Sequence, residues 1–237
     1  MLDLQELDAK AAQLRHQRSH LPELVEIEEL RATRTEVDNL ARDAQILVVD
    51  LSEEQAKIDA DVEQARARRT RDQERVDQGA ISNPKDLQRM LSELQSLHRR
   101  ITTLEDQELD VMEQVEDAQK ELDSLSAQVT SADERMAALS VSRDDKTGAL
   151  DKELDAVAAE RAPILAGLPA DLVALYDRLC ELKGGVGAAP LRARECGGCR
   201  LSLDAAELAA IKGASDDEVI RCEECQRILV RTAESGL

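Results

Sequence analysis

"DLQRMLSELQSLHRRITTLEDQELDVMEQVEDAQKELDSLSAQVTSADERMAAL", residues 86–139, decides the fold. From Leu87, alternate steps of three and four residues land on Met90, Leu94, Leu97, Ile101, Leu104, Glu108 and Val111. The series continues through Val115, Ala118, Leu122, Leu125, Val129, Ala132, Met136 and Leu139. Fifteen of these sixteen positions are apolar, and Glu108 is the exception. A strand would alternate every second residue, and a globular helix drifts off a strict seven-residue repeat. The stretch is therefore one helix presenting a continuous seam to a partner.

The partner lies upstream. Leu30, Val37, Ala44, Leu51, Ile58 and Ala65 recur every seven residues, and Leu40, Leu47 and Val62 are expected to fill much of the second seam column. Between the two arms, "VDQGAISNPKD" (residues 76–86) breaks the helix at Gly79 and restarts it with Asn83 as cap and Pro84 as first helical residue. A short connection makes neighbouring helices antiparallel. The reading is a helical hairpin, favoured as a monomer over a parallel homodimeric coil, with a first arm of roughly 80 Å at 1.5 Å per residue.

Composition supports this. The 237 residues include one Tyr and neither Phe nor Trp, so the aromatic bulk of a large globular core is missing. No apolar run approaches the roughly 18 residues of a membrane span, and no signal-peptide pattern opens the chain, so a cytoplasmic protein is expected.

Around the hairpin, Leu2, Leu7, Ala11 and Leu14 mark a short helix over residues 2–18. The arms then cover about 22–76 and 84–164, with a tip at about 77–83. Pro22 and the polar stretch "SVSRDDKTGAL" (residues 140–150) fall at one level, so both arms are expected to be interrupted there in a bend or hinge. Residues 1–168 thus form the hairpin and 169–190 a connecting helix and linker. In that linker "KGGVGAAP" (residues 183–190) reads as flexible. Cys180, on the apolar side of the connecting helix, has no cysteine at ligand spacing and reads as a small hydrophobe.

Residues 191–237 form the second domain. Cys196 and Cys199, then 22 residues, then Cys222 and Cys225 make two C-x-x-C pairs. Two tight turns that each bring two thiolates complete a sulfur tetrahedron, and four thiolates leave no position open for water, so the metal is structural. One zinc ion is expected. Iron is the rival in such a geometry, and disulfide or thiol redox chemistry suits a reducing compartment poorly. Asp204 and Glu207 make a capping-box pattern opening a short helix that stops at Gly213, and aliphatic runs around the second pair read as short strands.

Two blocks, "SNPKDLQRMLSELQSLHRRITTLEDQELDVME" and "CGGC" followed by "VIRCEECQRILVR", resemble the bacterial family of coiled-coil hairpin proteins with a C-terminal four-cysteine zinc ribbon. The family is grouped as nucleic-acid- or protein-binding, or of unknown function. The resemblance implies a mainly α fold, a long antiparallel coiled-coil hairpin followed by a small zinc ribbon. Its flagellar branch resembles an adaptor that contacts a sigma factor and messenger RNA. Related ribbons tend to carry Gly after the last ligand, where this chain has Gln226; a left-handed backbone there would cost roughly 1 kcal/mol.

Net charge is −19, which opposes generic nucleic-acid binding. Residues 66–100 nevertheless carry 9 basic and 5 acidic side chains between two strongly acidic arms. Arg66, Arg68, Arg69, Arg71 and Arg75 precede the tip, and Lys85 and Arg89 follow it. Arg192, Arg194, Arg200, Arg221, Arg227 and Arg231 surround the cysteine pairs. These two groups are the candidate partner-binding residues. His16, His20 and His98 lie in or beside the helical arms, and no nucleophile or phosphate-loop motif occurs. The expected function is a non-enzymatic adaptor binding a protein partner. The alternatives are an RNA- or DNA-binding regulator and an iron-binding redox protein.

Overall fold

The computed structural model describes residues 1–237. Four helices, α1 (Leu2–Ser19), α2 (Pro22–Asp77), α3 (Pro84–Ala166) and α4 (Ala170–Leu182), precede strands β1 (Ala188–Arg192) and β2 (Glu195–Cys196), helix α5 (Ala205–Gly213) and strand β3 (Ile228–Val230). None of the helices is long and apolar enough to cross a membrane. The chain divides into two compact units, Glu26–Leu139 and a second made of Met1–Val25 with Ser140–Leu237.

In the Glu26–Leu139 unit, α2 and α3 run antiparallel. All sixteen seam positions of α3, Glu108 included, are buried or half-buried. The arms are clamped by cross-helix ion pairs of Arg34 with Asp133, Arg66 with Glu105, Arg68 with Glu93 and Arg135 with Glu26. At the tip, Asn83 caps α3 through its side-chain oxygen, which accepts from the Lys85 N–H at 3.0 Å. Gly79 takes the left-handed conformation that ends α2 (φ 64°).

The second column of the α2 seam differs from expectation. Leu40 and Leu47 are 55% and 50% exposed, while Ala41 and Val48 are half-buried. From Val37 the seam steps four and then three residues, not three and then four. This register admits Arg34, Gln55 and Arg69 to the seam and leaves two leucines on its flank. Apolarity favoured the leucines. The helix phase is set by Ile27, Val62 and Ala65, which are nearly fully buried, and they fix the other order.

In the other unit α1 takes over as the partner of α3: Ala11 and Leu14 pack on Val157, flanked by Leu7, Leu150 and Leu154. The expected double interruption reduces to one. The chain breaks at His20–Leu21, but α3 remains helical through residues 140–150. Gly148 alone costs only about 1 kcal/mol in a helix. The polar residues there are also used, because buried Glu23 accepts hydrogen bonds from Ser142 and Lys146. Those bonds hold its carboxyl below the usual range.

A second core joins α1, α4 and the ribbon. Leu4, Tyr176, Leu179, Ala188 and Ile228 pack together, and Leu4 and Tyr176 are completely buried. The Tyr176 hydroxyl donates to Asp8 (2.8 Å), which also accepts a pair of bonds from Arg161. Burial among these groups pushes the Cys180 thiol up, in keeping with a structural role.

The linker read as flexible is pinned. Gln5 accepts from the N–H groups of Gly187 and Ala188 at 2.7 and 3.1 Å and donates to the Gly185 carbonyl at 2.9 Å. Residues 188–190, assigned to the linker by sequence, begin the ribbon sheet. Its order is β2-β1-β3, with β1 antiparallel to β2 and parallel to β3. Glycine content suggested mobility, but long-range hydrogen bonds to Gln5 are invisible to local composition.

Candidate metal centre

The two cysteine pairs fold by the same backbone rule. In the first, the Cys196 N–H donates to the Leu201 carbonyl (3.0 Å) and the Arg200 N–H to the Cys196 carbonyl (2.7 Å). In the second, the Cys222 N–H donates to Arg227 (3.0 Å) and the Gln226 N–H to Cys222 (2.8 Å). Each knuckle turns back on a residue with positive φ, Arg200 at 62° and Gln226 at 63°. Gln226 is thus left-handed despite its side chain. The glycines between Cys196 and Cys199 are needed for close approach: a Cβ on Gly198 would lie 2.6 Å from Arg227 Cδ.

The four Sγ atoms lie within 4.8 Å of one another. Cys196 and Cys225 are 3.7 Å apart and Cys199 and Cys222 3.9 Å. A tetrahedron with metal–sulfur bonds of about 2.3 Å has edges of about 3.8 Å, so the donor set fits one zinc ion. A disulfide needs a separation of about 2.05 Å and does not fit.

Electrostatics prepare the thiolates unequally. Burial pushes the Cys196 thiol up to about 12 and raises Cys222 as well. For Cys225 burial also works upward, but hydrogen bonds from the Arg227 N–H and guanidinium outweigh it and bring the thiol down to about 7. N–H groups of Gly198 and Cys199 point at the Cys196 sulfur, and those of Glu224 and Cys225 at the Cys222 sulfur. These donors favour the charged form that a metal binds, and binding there releases protons. Sequence reading took Arg227 for a surface cation. It is half-buried, and its guanidinium also donates to the carbonyls of Val186 and Lys183, tying the second knuckle to the linker.

Residues 4–184 match the CT398-like coiled coil hairpin domain, and residues 196–229 match a C4-type zinc ribbon domain. The chain belongs to this family of hairpin and ribbon proteins. An uncharacterized protein of Mycobacterium tuberculosis is 32% identical over 233 residues, covering 98% of this chain and 94% of that one. A solved structure from Mycobacterium smegmatis is similar at 33% identity with a TM-score of 0.81, covering 97% of this chain and 94% of its own. CT398 from Chlamydia trachomatis shares the fold at 19% identity, with a TM-score of 0.70 over 98% of this chain and 95% of that one. Cysteine geometry and family together assign Cys196, Cys199, Cys222 and Cys225 to one structural zinc ion, and iron loses its claim. Hairpin and ribbon are both non-catalytic kinds of domain, suited to binding or structural roles.

The structure separates the remaining candidate residues. Among the ribbon arginines, Arg231 is spent on the carbonyls of Ile211, Ala214 and Ser215, where it caps the end of α5. Arg192 pairs with Glu234, Arg194 donates to Gly236 and Arg221 to Gln226. Only Arg200 is without such a partner. At the hairpin tip, Arg66 and Arg68 pair across the helices and Arg89 pairs with Asp86. Arg69, Arg71, Arg75 and Lys85 have no carboxylate partner, and Arg99 and Arg100 share that condition.

Proposed function

We propose that the chain is a non-enzymatic adaptor whose hairpin tip docks on an acidic surface of a protein partner in the cytoplasm. One observation carries this reading. Of the fifteen Lys and Arg residues between Glu26 and Leu139, nine are in ion pairs, and the six that are not all fall within residues 69–100. Elsewhere in the Glu26–Leu139 unit each cation is matched to a carboxylate. An exposed ion pair contributes only about 0–1 kcal/mol, so stability alone does not require this polarity. Unmatched charge at one end of a coil is what steers a complementary partner to that end. The fold supports the reading by bringing Arg71 and Arg75 at the end of α2 and Lys85 at the start of α3 to the same end of the antiparallel pair.

The test is partner capture by Arg71→Glu, Arg75→Glu, Lys85→Glu protein from native cell extract at several salt concentrations. Capture should fall sharply, and wild-type capture should weaken with salt, while thermal stability changes little. Unchanged capture by the reversed tip would remove the proposal. If nuclease treatment abolishes wild-type capture, the RNA- or DNA-binding alternative replaces it.

A further inference from the structure

The ribbon carries a cleft of about 220 Å³ between α5 and the segment leading to the second knuckle. Leu203, Ile211 and Ile220 line it, and Val219, 44% exposed, stands at its lip. Both walls are fixed. The reciprocal bonds of Asp204 and Glu207 hold the start of α5, and Arg231 holds its end. Opposite, Ile220 accepts from the Leu229 N–H at 2.9 Å, two residues before a zinc ligand. A preformed cleft, polar at its rim and apolar at Leu203, Ile211 and Ile220, therefore persists without an occupant to shape it.

Its mouth is acidic. Glu207, Glu218 and Glu223 line it, and no cationic side chain pairs with any of them. Arg221 is the only cation on the wall, and its guanidinium donates to the Gln226 carbonyl. Exposed Asp217 extends the negative surface, while Asp216 beside it pairs with Arg231 at 3.3 Å.

We propose that this cleft receives one aliphatic side chain of a partner peptide in which that residue is flanked by lysines or arginines. Size selects the class, since small-molecule and cofactor sites run to roughly 300–1,000 Å³ and this cleft is smaller. Charge selects the flanks, because three carboxylates repel a phosphate backbone and attract a basic chain. This surface is separate from the hairpin tip, and its occupant is of opposite charge to the tip's.

The experiment uses the zinc-loaded full chain and fluorescent ten-residue peptide pools that place Leu, Ile or Met between two basic or two acidic residues. The basic-flanked pool should bind saturably and at least about tenfold tighter than the acidic-flanked pool. Ala210→Phe, which fills the cleft from an exposed position on α5, should weaken binding about tenfold or more, as should Glu218→Lys with Glu223→Lys. Zinc content identifies any variant that fails to fold, and the charge-reversed pair lies wholly at the surface should Ala210→Phe do so. Reversing the tip charges should leave peptide binding unchanged, so failure at the tip and failure at the cleft are distinguishable. Equal binding of the two pools, or wild-type binding by zinc-retaining cleft variants, would overturn the proposal. A single-stranded RNA that displaces the basic pool would overturn it in favour of phosphate recognition.

Discussion

Glu108 of α3 and Asp59 of α2 stand carboxyl beside carboxyl across the hairpin. The contact with Asp59, with burial and repulsion added, holds the Glu108 carboxyl above its usual range. A carboxyl raised on folding contributes stability below its unfolded pKa of about 4.3, and that contribution is lost as pH rises through the folded value. At neutral pH the pair is therefore a weak point, because Glu108 is the one polar residue among the sixteen seam positions of α3. Glu108→Leu should raise the melting temperature at pH 7, with the gain shrinking at pH 4, as read by circular dichroism. An equal gain at both pH values would show that lost charge is not the cause.

Zinc should hold more than the ribbon. Ala188 and Ile228 of the ribbon sheet share a core with Leu4, Tyr176 and Leu179. Metal binding is worth on the order of 10 kcal/mol in small zinc modules. Cys222→Ser should abolish stoichiometric zinc and expose amides of α1 and α4 to hydrogen exchange, while residues 26–139 stay protected by their own seam. Loss of protection throughout the hairpin would contradict this division.

The left-handed Arg200 gives the opposite sign. A non-glycine residue at φ 62° carries roughly 1 kcal/mol of backbone strain, and the exposed Arg200 side chain makes no hydrogen bond that offsets it. Arg200→Gly should stabilise the ribbon by about 1 kcal/mol, seen as slower zinc loss to a chelator. A faster loss would mean that the side chain serves the knuckle.

Gln5 is the test of how the linker is held. Gln5→Ala would leave the Gly187 and Ala188 N–H groups, both buried, without their acceptor, at a cost of about 1–3 kcal/mol. Denaturant unfolding should register that loss, and Gln5→Glu, which keeps the acceptor, should lie in between.

What could be read in the sequence followed periodicity and spacing. The α3 seam, the Asn83–Pro84 restart, the four cysteines and the Asp204–Glu207 box each declare themselves within a few residues, and the structure has all of them. Errors arose where distant groups decide. Leu40 and Leu47 look like seam residues until the phase set by Ile27 and Val62 is known. The glycine-rich linker looks mobile until Gln5, some 180 residues away, is brought against it. Arg227 and Arg231 look like surface cations because sequence gives no sign of the carbonyls that receive them.

The sheet order β2-β1-β3 has a practical corollary for anyone cutting the gene. Strand β1 is central, and β2 and β3 each pair with it and not with each other, yet it precedes the first cysteine by several residues. A fragment excised at Cys196 would carry all four ligands and lose the strand that joins its halves. The portable piece begins no later than Lys183, whose carbonyl and that of Val186 seat Arg227. Even then it would bring a bare apolar face where Leu4 and Tyr176 had lain, and a soluble graft needs that face replaced with polar residues.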